Sequence, residues 1–204
     1  NGGGDCAGLN AVTRAVVRKG EEFGYEVVGI RHGWAGLLNM DTCSLKWSDV
    51  ADIIKVGGTI LHTTRTNPFS RKGGAETVLT HAKKLGLDVL VVVGGEDTLS
   101  VAAKLAQMGL KAVGVPKTID NDIVATDVTF GFDSAVNVTV DAIDRIQTTG
   151  ESHNRIMIVE VMGRHAGWIA AYSGIASGAN LILIPEEPFN LEDVSKFLKQ
   201  RHDT

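Results

Sequence analysis

Two polar segments stand about twenty residues apart, each directly behind an apolar run. Gly94-Gly95-Glu96-Asp97-Thr98 follows residues 89–93, and Pro116-Lys117-Thr118-Ile119-Asp120-Asn121-Asp122 follows residues 112–115. Glycine amides and a lysine bind phosphate oxygens, and a carboxylate plus substrate phosphates is the usual way of holding magnesium. A further carboxylate can take the proton of an attacking hydroxyl. Together these are the means of moving a phosphoryl group. A blander reading exists for each part: Glu96 and Asp97 suit the first turn of a helix, Thr98 or Asp97 suits its cap, and Asn-Asp runs suit turns. Four polar residues around the single Ile119 exceed what a turn alone requires.

Other segments carry weaker signals. Gly2-Gly3-Gly4-Asp5 precedes a helical stripe, where glycines and backbone amides receive phosphate; the same residues also make a tight turn with Asp5 as cap. Residues 59–65 end in hydroxyls and Arg65, whose forked guanidinium suits a phosphoryl group, although a lone loop arginine is ordinarily solvated. Met162-Gly163-Arg164-His165-Ala166-Gly167 follows the most apolar run of the chain, with His153-Asn154-Arg155 just before that run. There the glycines permit a tight turn, and Arg164 or His165 can meet a phosphorylated sugar. His32, His62, His81 and His202 receive no role, and Trp34, Trp47 and Trp168 read as packing residues.

The elements that must position these residues alternate. Helical patterns cover 9–23, 47–54, 74–85, 98–107, 132–148 and 167–177. Apolar runs at 25–30, 59–61, 89–93, 112–115, 156–161 and 181–184 read as strands, with a Gly-rich turn at Gly33-Trp34-Ala35-Gly36. Such alternation predicts an α/β protein, a Rossmann-like three-layer α/β/α arrangement with a mostly parallel sheet, and ligands in the crevice at the carboxyl ends of the strands. A boundary near Gly131 would divide a phosphoryl-donor domain, 1–131, from a partial sugar-phosphate domain, 132–204, of similar build.

Composition sets bounds. With 204 residues, 44% hydrophobic and 22% charged, the chain can bury a sizeable core. A net charge of -4 gives no electrostatic reason for a nucleic-acid partner. No apolar run approaches the roughly twenty residues of a membrane span, and no signal peptide is visible, so neither membrane nor secretion is expected. Cys6 and Cys43 lack metal-site spacing and read as reduced thiols of a cytoplasmic protein. Asn1 is not a methionine and the first glycine loop has no strand before it, which suggests a fragment of a longer enzyme.

In order and spacing, Gly-Gly-Gly-Asp-Cys-Ala-Gly-Leu-Asn from Gly2, Gly-Gly-Thr-Ile-Leu through Arg65, Gly-Gly-Glu-Asp-Thr, Pro-Lys-Thr-Ile-Asp-Asn-Asp and Glu-Val-Met-Gly-Arg-His-Ala-Gly resemble the phosphofructokinase family. The resemblance runs from Gly2 to about Pro185. It implies Asp120 as the base that deprotonates the 1-hydroxyl of fructose 6-phosphate, with Thr118 and Asp122 beside it. Met162, Gly163 and Arg164 would contact the sugar, Arg164 also balancing transition-state charge. Arg155 would reach the 6-phosphate across a subunit interface, in a homodimer or homotetramer. Gly3, Arg65, Gly95 and Thr98 fall on the donor side, and Glu96 stands where the family commonly has an Mg²⁺-binding aspartate.

Two positions address the donor. The residue corresponding to Asp97 is glycine in ATP-using members, and that corresponding to Lys117 is glycine in many of them. A carboxylate and an ammonium there resemble the pyrophosphate-dependent branch, because charge and volume exclude a nucleotide tail. Departures are Ala7, where the family usually has proline, and Gln147 and Asn180, where regulated members have an arginine and a glutamate. Without its first strand and the C-terminal sugar-phosphate residues, the 204-residue piece alone is expected to be inactive. Two other readings stay open: the same transfer from ATP, and a non-catalytic phosphate- or nucleotide-binding module. Against the latter, no Gly-x-Gly-x-x-Gly follows a strand with an acidic residue about twenty positions on.

Overall fold

Alternation of residues along one strand explains the layering. Val92 packs into a core with Leu37, Val78, Val101 and Leu105, whereas its neighbours Val91 and Val93 pack with Leu9 and Val12. Successive strand side chains point to opposite faces, so helices cover both. The computed structural model describes residues 1–202. The strand in question is β3 (Leu90–Gly94), paired in parallel with β4 (Ala112–Thr118), which pairs in parallel with the short β5 (Phe130–Gly131). Helix α1 (Leu9–Glu22) covers one face; α2 (Trp34–Asn39), α3 (Gly74–Lys84) and α4 (Glu96–Gln107) supply the core on the other. This is the expected α/β arrangement with a parallel sheet.

A second, two-stranded sheet joins β1 (Val27–Ile30) to β2 (Thr42–Leu45) in antiparallel register, Val27 opposite Leu45 and Ile30 opposite Thr42. The strand β2 is too short and too polar to announce itself, and α2 begins inside what the sequence suggests is only a Gly-rich turn. The expected helix over 47–54 is instead two 3-10 turns, Trp47–Val50 and Ile53–Lys55. The buried residues there, Val50 and Ile53, are three apart, the repeat of a 3-10 turn. Nor is 59–61 a strand. The Thr59 hydroxyl accepts from Leu61 N–H at 3.1 Å and its carbonyl from His62 N–H at 3.1 Å, wrapping the backbone into a turn.

The chain divides into two compact units. The first contains Asn1–Thr118 and Ile123–Gly131, hence all five strands and α1 to α4. The second groups Ile119–Asp122 with the residues from Phe132 onward, and its helices are α5 (Phe132–Ser152), α6 (Trp168–Ala176) and α7 (Leu191–His202). Residues 203 and 204 of the expected sugar-phosphate domain lie outside the described residues. Among the described residues of this unit no strand is assigned, so the apolar runs 156–161 and 181–184 are not ladder strands here. A strand exists only through hydrogen bonds to a neighbour, which an apolar run cannot reveal. Ile158 stands 87% exposed.

Candidate active site

Several of the residues expected on the donor side converge through contacts distant in sequence. Gly2 donates its N–H to Val93 O at 2.9 Å and bridges Gly94 in parallel, which sets the glycine loop at the carboxyl end of β3. Thr98, in the first turn of α4, is buried behind this join. A Cβ on Gly2 would meet Thr98 Oγ1 at 2.6 Å, and one on Gly94 would meet Thr98 Cβ at 2.5 Å. Only glycine permits that approach. Helix α1 starts at Leu9 with Gly8 as its N-cap, so Gly2–Asp5 forms a separate loop and Asp5 does not cap the helix.

Lys117 lies in β4 rather than in a loop beyond it, and its side chain is only 4% exposed. Its ammonium donates to Gly4 O and lies 3.5 Å from where a Cβ on Gly3 would stand. A buried positive charge therefore sits inside the glycine loop. The next residue, Thr118, accepts a 2.7 Å hydrogen bond at its carbonyl from the buried Thr129 hydroxyl. Cys6, half-buried in the same loop, donates its thiol to Phe130 O at 3.4 Å. Burial raises its pKa, and the charge of nearby Asp5 adds to that against the pull of Lys117.

The segment carrying Arg65 is tied to this loop. Gly3 N–H donates to Thr64 O at 3.0 Å, and the Thr63 hydroxyl donates to Gly3 O at 2.7 Å. Buried Asn10 of α1 clamps the approach, donating to Val56 O and accepting from Ile60 N–H, both at 2.9 Å. Arg65 itself is exposed, as are Glu96 and Asp97 in the first turn of α4. Gly95 is the N-cap of that helix and makes no side-chain cap. Among the described residues no group of three or more His, Cys, Asp or Glu could cage a metal. An exposed carboxylate such as Glu96 could hold magnesium only with substrate phosphate oxygens completing the shell.

Of the residues expected on the sugar side, Thr118 ends the first unit and the others fall in the second. Asp120 is half-buried and Asp122 exposed, on either side of Asn121, which adopts φ 54°. Arg164 also lies in the left-handed region, at φ 54°. It sits in a tight turn closed by Ala166 N–H donating to Gly163 O at 2.8 Å. Gly163, at φ 139°, has no room for a Cβ, which would fall 2.3 Å from Ala166 O. Non-glycine residues with such backbones cluster at ligand sites. Met162 is 74% exposed. Arg155 is exposed just past α5, its N–H bonded to Gly150 O at 2.8 Å.

None of the polar residues above except Thr98 lines the cavity of about 820 Å³ between α1, β1 and β3, whose walls include Val12, Val16, Val91 and Trp34. The chemistry-bearing residues of the first unit are instead grouped at the loop ends of a parallel sheet, in the manner of a phosphate-binding α/β protein. Residues 1–204 match the family Phosphofructokinase, and the chain belongs to it. It is 57% identical over 203 residues to the pyrophosphate--fructose 6-phosphate 1-phosphotransferase of Amycolatopsis methanolica, covering 99% of this chain and 60% of that protein. It is 51% identical over 200 residues to ATP-dependent 6-phosphofructokinase 3 of Streptomyces coelicolor, covering 98% and 59% respectively. The solved phosphofructokinase of Saccharomyces cerevisiae superposes with a TM-score of 0.88 at 36% identity, over 99% of this chain and 31% of that one. The chain thus spans about 60% of the length of the curated relatives it matches.

Proposed function

We propose that the enzyme carrying this chain transfers a phosphoryl group from pyrophosphate to the 1-hydroxyl of fructose 6-phosphate, giving fructose 1,6-bisphosphate and phosphate. The observation that carries the choice of donor is Lys117, a buried ammonium bonded to the glycine loop. A buried ammonium among glycine-loop amides suits the concentrated charge of a diphosphate. Asp97, exposed at the start of α4, adds a carboxylate that repels a third phosphate. Similarity to named pyrophosphate-dependent relatives at 57% and 55% identity supports this reading. An ATP-dependent relative at 51% identity keeps the ATP reading as the alternative.

In the proposed reaction Asp120 accepts the 1-hydroxyl proton as that oxygen attacks the terminal phosphorus, and phosphate leaves. Glycine-loop amides, Lys117, Arg65 and Gly95 orient the donor, with Thr98 packed behind them. Thr118, Asp122, Met162, Gly163 and Arg164 hold the sugar, and Arg164 offsets charge on the equatorial oxygens. Glu96 is the proposed Mg²⁺ ligand; the ion, when bound, would neutralise donor oxygens. Arg155 serves a neighbouring subunit's site in a homodimer or homotetramer. Among the described residues no helix is long and apolar enough to cross a membrane, and a cytoplasmic setting accords with the reaction. Substituting Asp97→Gly, alone or with Lys117→Gly, tests the donor account: relative turnover with ATP rises, whereas an unchanged preference contradicts it.

A further inference from the structure

Two histidines with no part in the proposed chemistry stack beside the donor loop. The His32 and His62 rings lie 4.9 Å apart, centre to centre, and 9° from parallel. Both residues sit in the left-handed region, at φ 57° and φ 54°, a conformation uncommon in non-glycine residues, though histidine adopts it more readily than most. The surroundings here are specific. His32 N–H donates to Leu61 O at 2.8 Å, and the Thr64 hydroxyl donates to His32 O at 2.7 Å. His32 Nε2 stands 3.8 Å from Asp41 Oδ2, and the other Asp41 oxygen accepts from Arg31 Nη1 at 3.2 Å. The two residues that follow His62 are the ones that grip Gly3, through Thr63 Oγ1 and Thr64 O.

We propose that the His32–His62 stack is the positioning device that fixes residues 62–65 against the glycine loop, so that Gly3 and Arg65 meet the phosphoryl donor. This rests on the phosphotransferase reading above. His62 acts through Thr63 and Thr64, with its ring seated on one whose own backbone holds both ends of the turn. Loss of the ring frees the turn on one side, and the donor, whose cradle includes Gly3, feels that loss. The sugar contacts do not run through this turn.

The test varies donor and fructose 6-phosphate in turn, on the enzyme at its natural length, comparing wild type with His62→Asn and His62→Phe. Asparagine tolerates a positive φ but lacks a ring; phenylalanine keeps a flat ring without the imidazole nitrogens. We expect His62→Asn to raise the donor KM about fivefold, the factor that one ordinary hydrogen bond's worth of anchoring represents. The sugar KM should stay within about twofold, and His62→Phe should restore the donor KM. If His62→Asn does not fold, His62→Gly, which relieves the backbone, carries the same expectation. An unchanged donor KM, or an equal rise in both KM values, overturns the proposal and leaves the functional reading intact. A wild-type enzyme with no turnover on pyrophosphate or ATP sinks both.

Discussion

Asp120 and Lys117 are close in sequence, yet their surroundings fit them to different work. Lys117 is almost wholly withdrawn from water and bonded to backbone, which suits a fixed positive charge. Asp120 is only half-buried, which suits a group that exchanges protons with a substrate. Replacing Asp120 by alanine should lower kcat by about 10²–10⁴, the usual worth of a general base, with a much smaller change in the sugar KM. A fall confined to KM would give it a binding role instead. Cys6 makes a separate prediction. Its raised pKa means that the folded state resists ionising the thiol. The thiol therefore costs no stability below its ordinary pKa, and stability falls as pH rises above that value. In Cys6→Ala the drop in Tm between about pH 8 and pH 10 should be smaller than in wild type.

The glycines and carboxylates behind apolar runs could be read from the sequence because each is a local pattern: a strand, a break, a helix. Contacts between distant positions could not. Thr98 reads as a donor residue by position, but its packing against Gly2 and Gly94 depends on a join between positions far apart in the chain. The His32–His62 stack was likewise invisible, since a lone histidine carries no signal until the fold supplies its neighbour.

At the scale of elements, the parallel strands β3 and β4 with α3 and α4 were legible because residues 90–94 and 112–115 are apolar and are separated by clear helical stripes. The failures share a cause. Residues 59–61, 156–161 and 181–184 have strand-like composition, but a strand is defined by its partner. In the first case the Thr59 hydroxyl captures the backbone before any ladder can form. Strand β2 was missed for the converse reason: Thr42–Leu45 is short and half polar, and only pairing with β1 makes it a strand. Asn10 ties down both ends of residues 56–60, satisfying the Val56 carbonyl and the Ile60 amide at once. Asn10→Ala strands both groups. It should cost about 1–3 kcal/mol, read as a lowered midpoint in urea, and an unchanged midpoint would mean that water replaces the side chain freely.

At the scale of the whole molecule, the residues proposed for the donor fall in the first compact unit and those proposed for the sugar in the second, except Thr118, which belongs to the first. The division falls between Thr118 and Ile119, so residues 117–122 carry both a proposed donor residue and the proposed base. Family membership was legible from five short segments in the right order, none decisive alone. The donor was less so, because it turns on two side chains in a family whose close relatives use both donors.

The most direct test of the account is therefore turnover of fructose 6-phosphate with Mg²⁺ by the enzyme at its natural length, with pyrophosphate and ATP compared as donors. The account predicts rapid formation of fructose 1,6-bisphosphate from pyrophosphate, readily reversed by phosphate, and little from ATP. Turnover with ATP alone would leave the fold and the role of Asp120 standing but contradict the claim that Lys117 and Asp97 select a diphosphate.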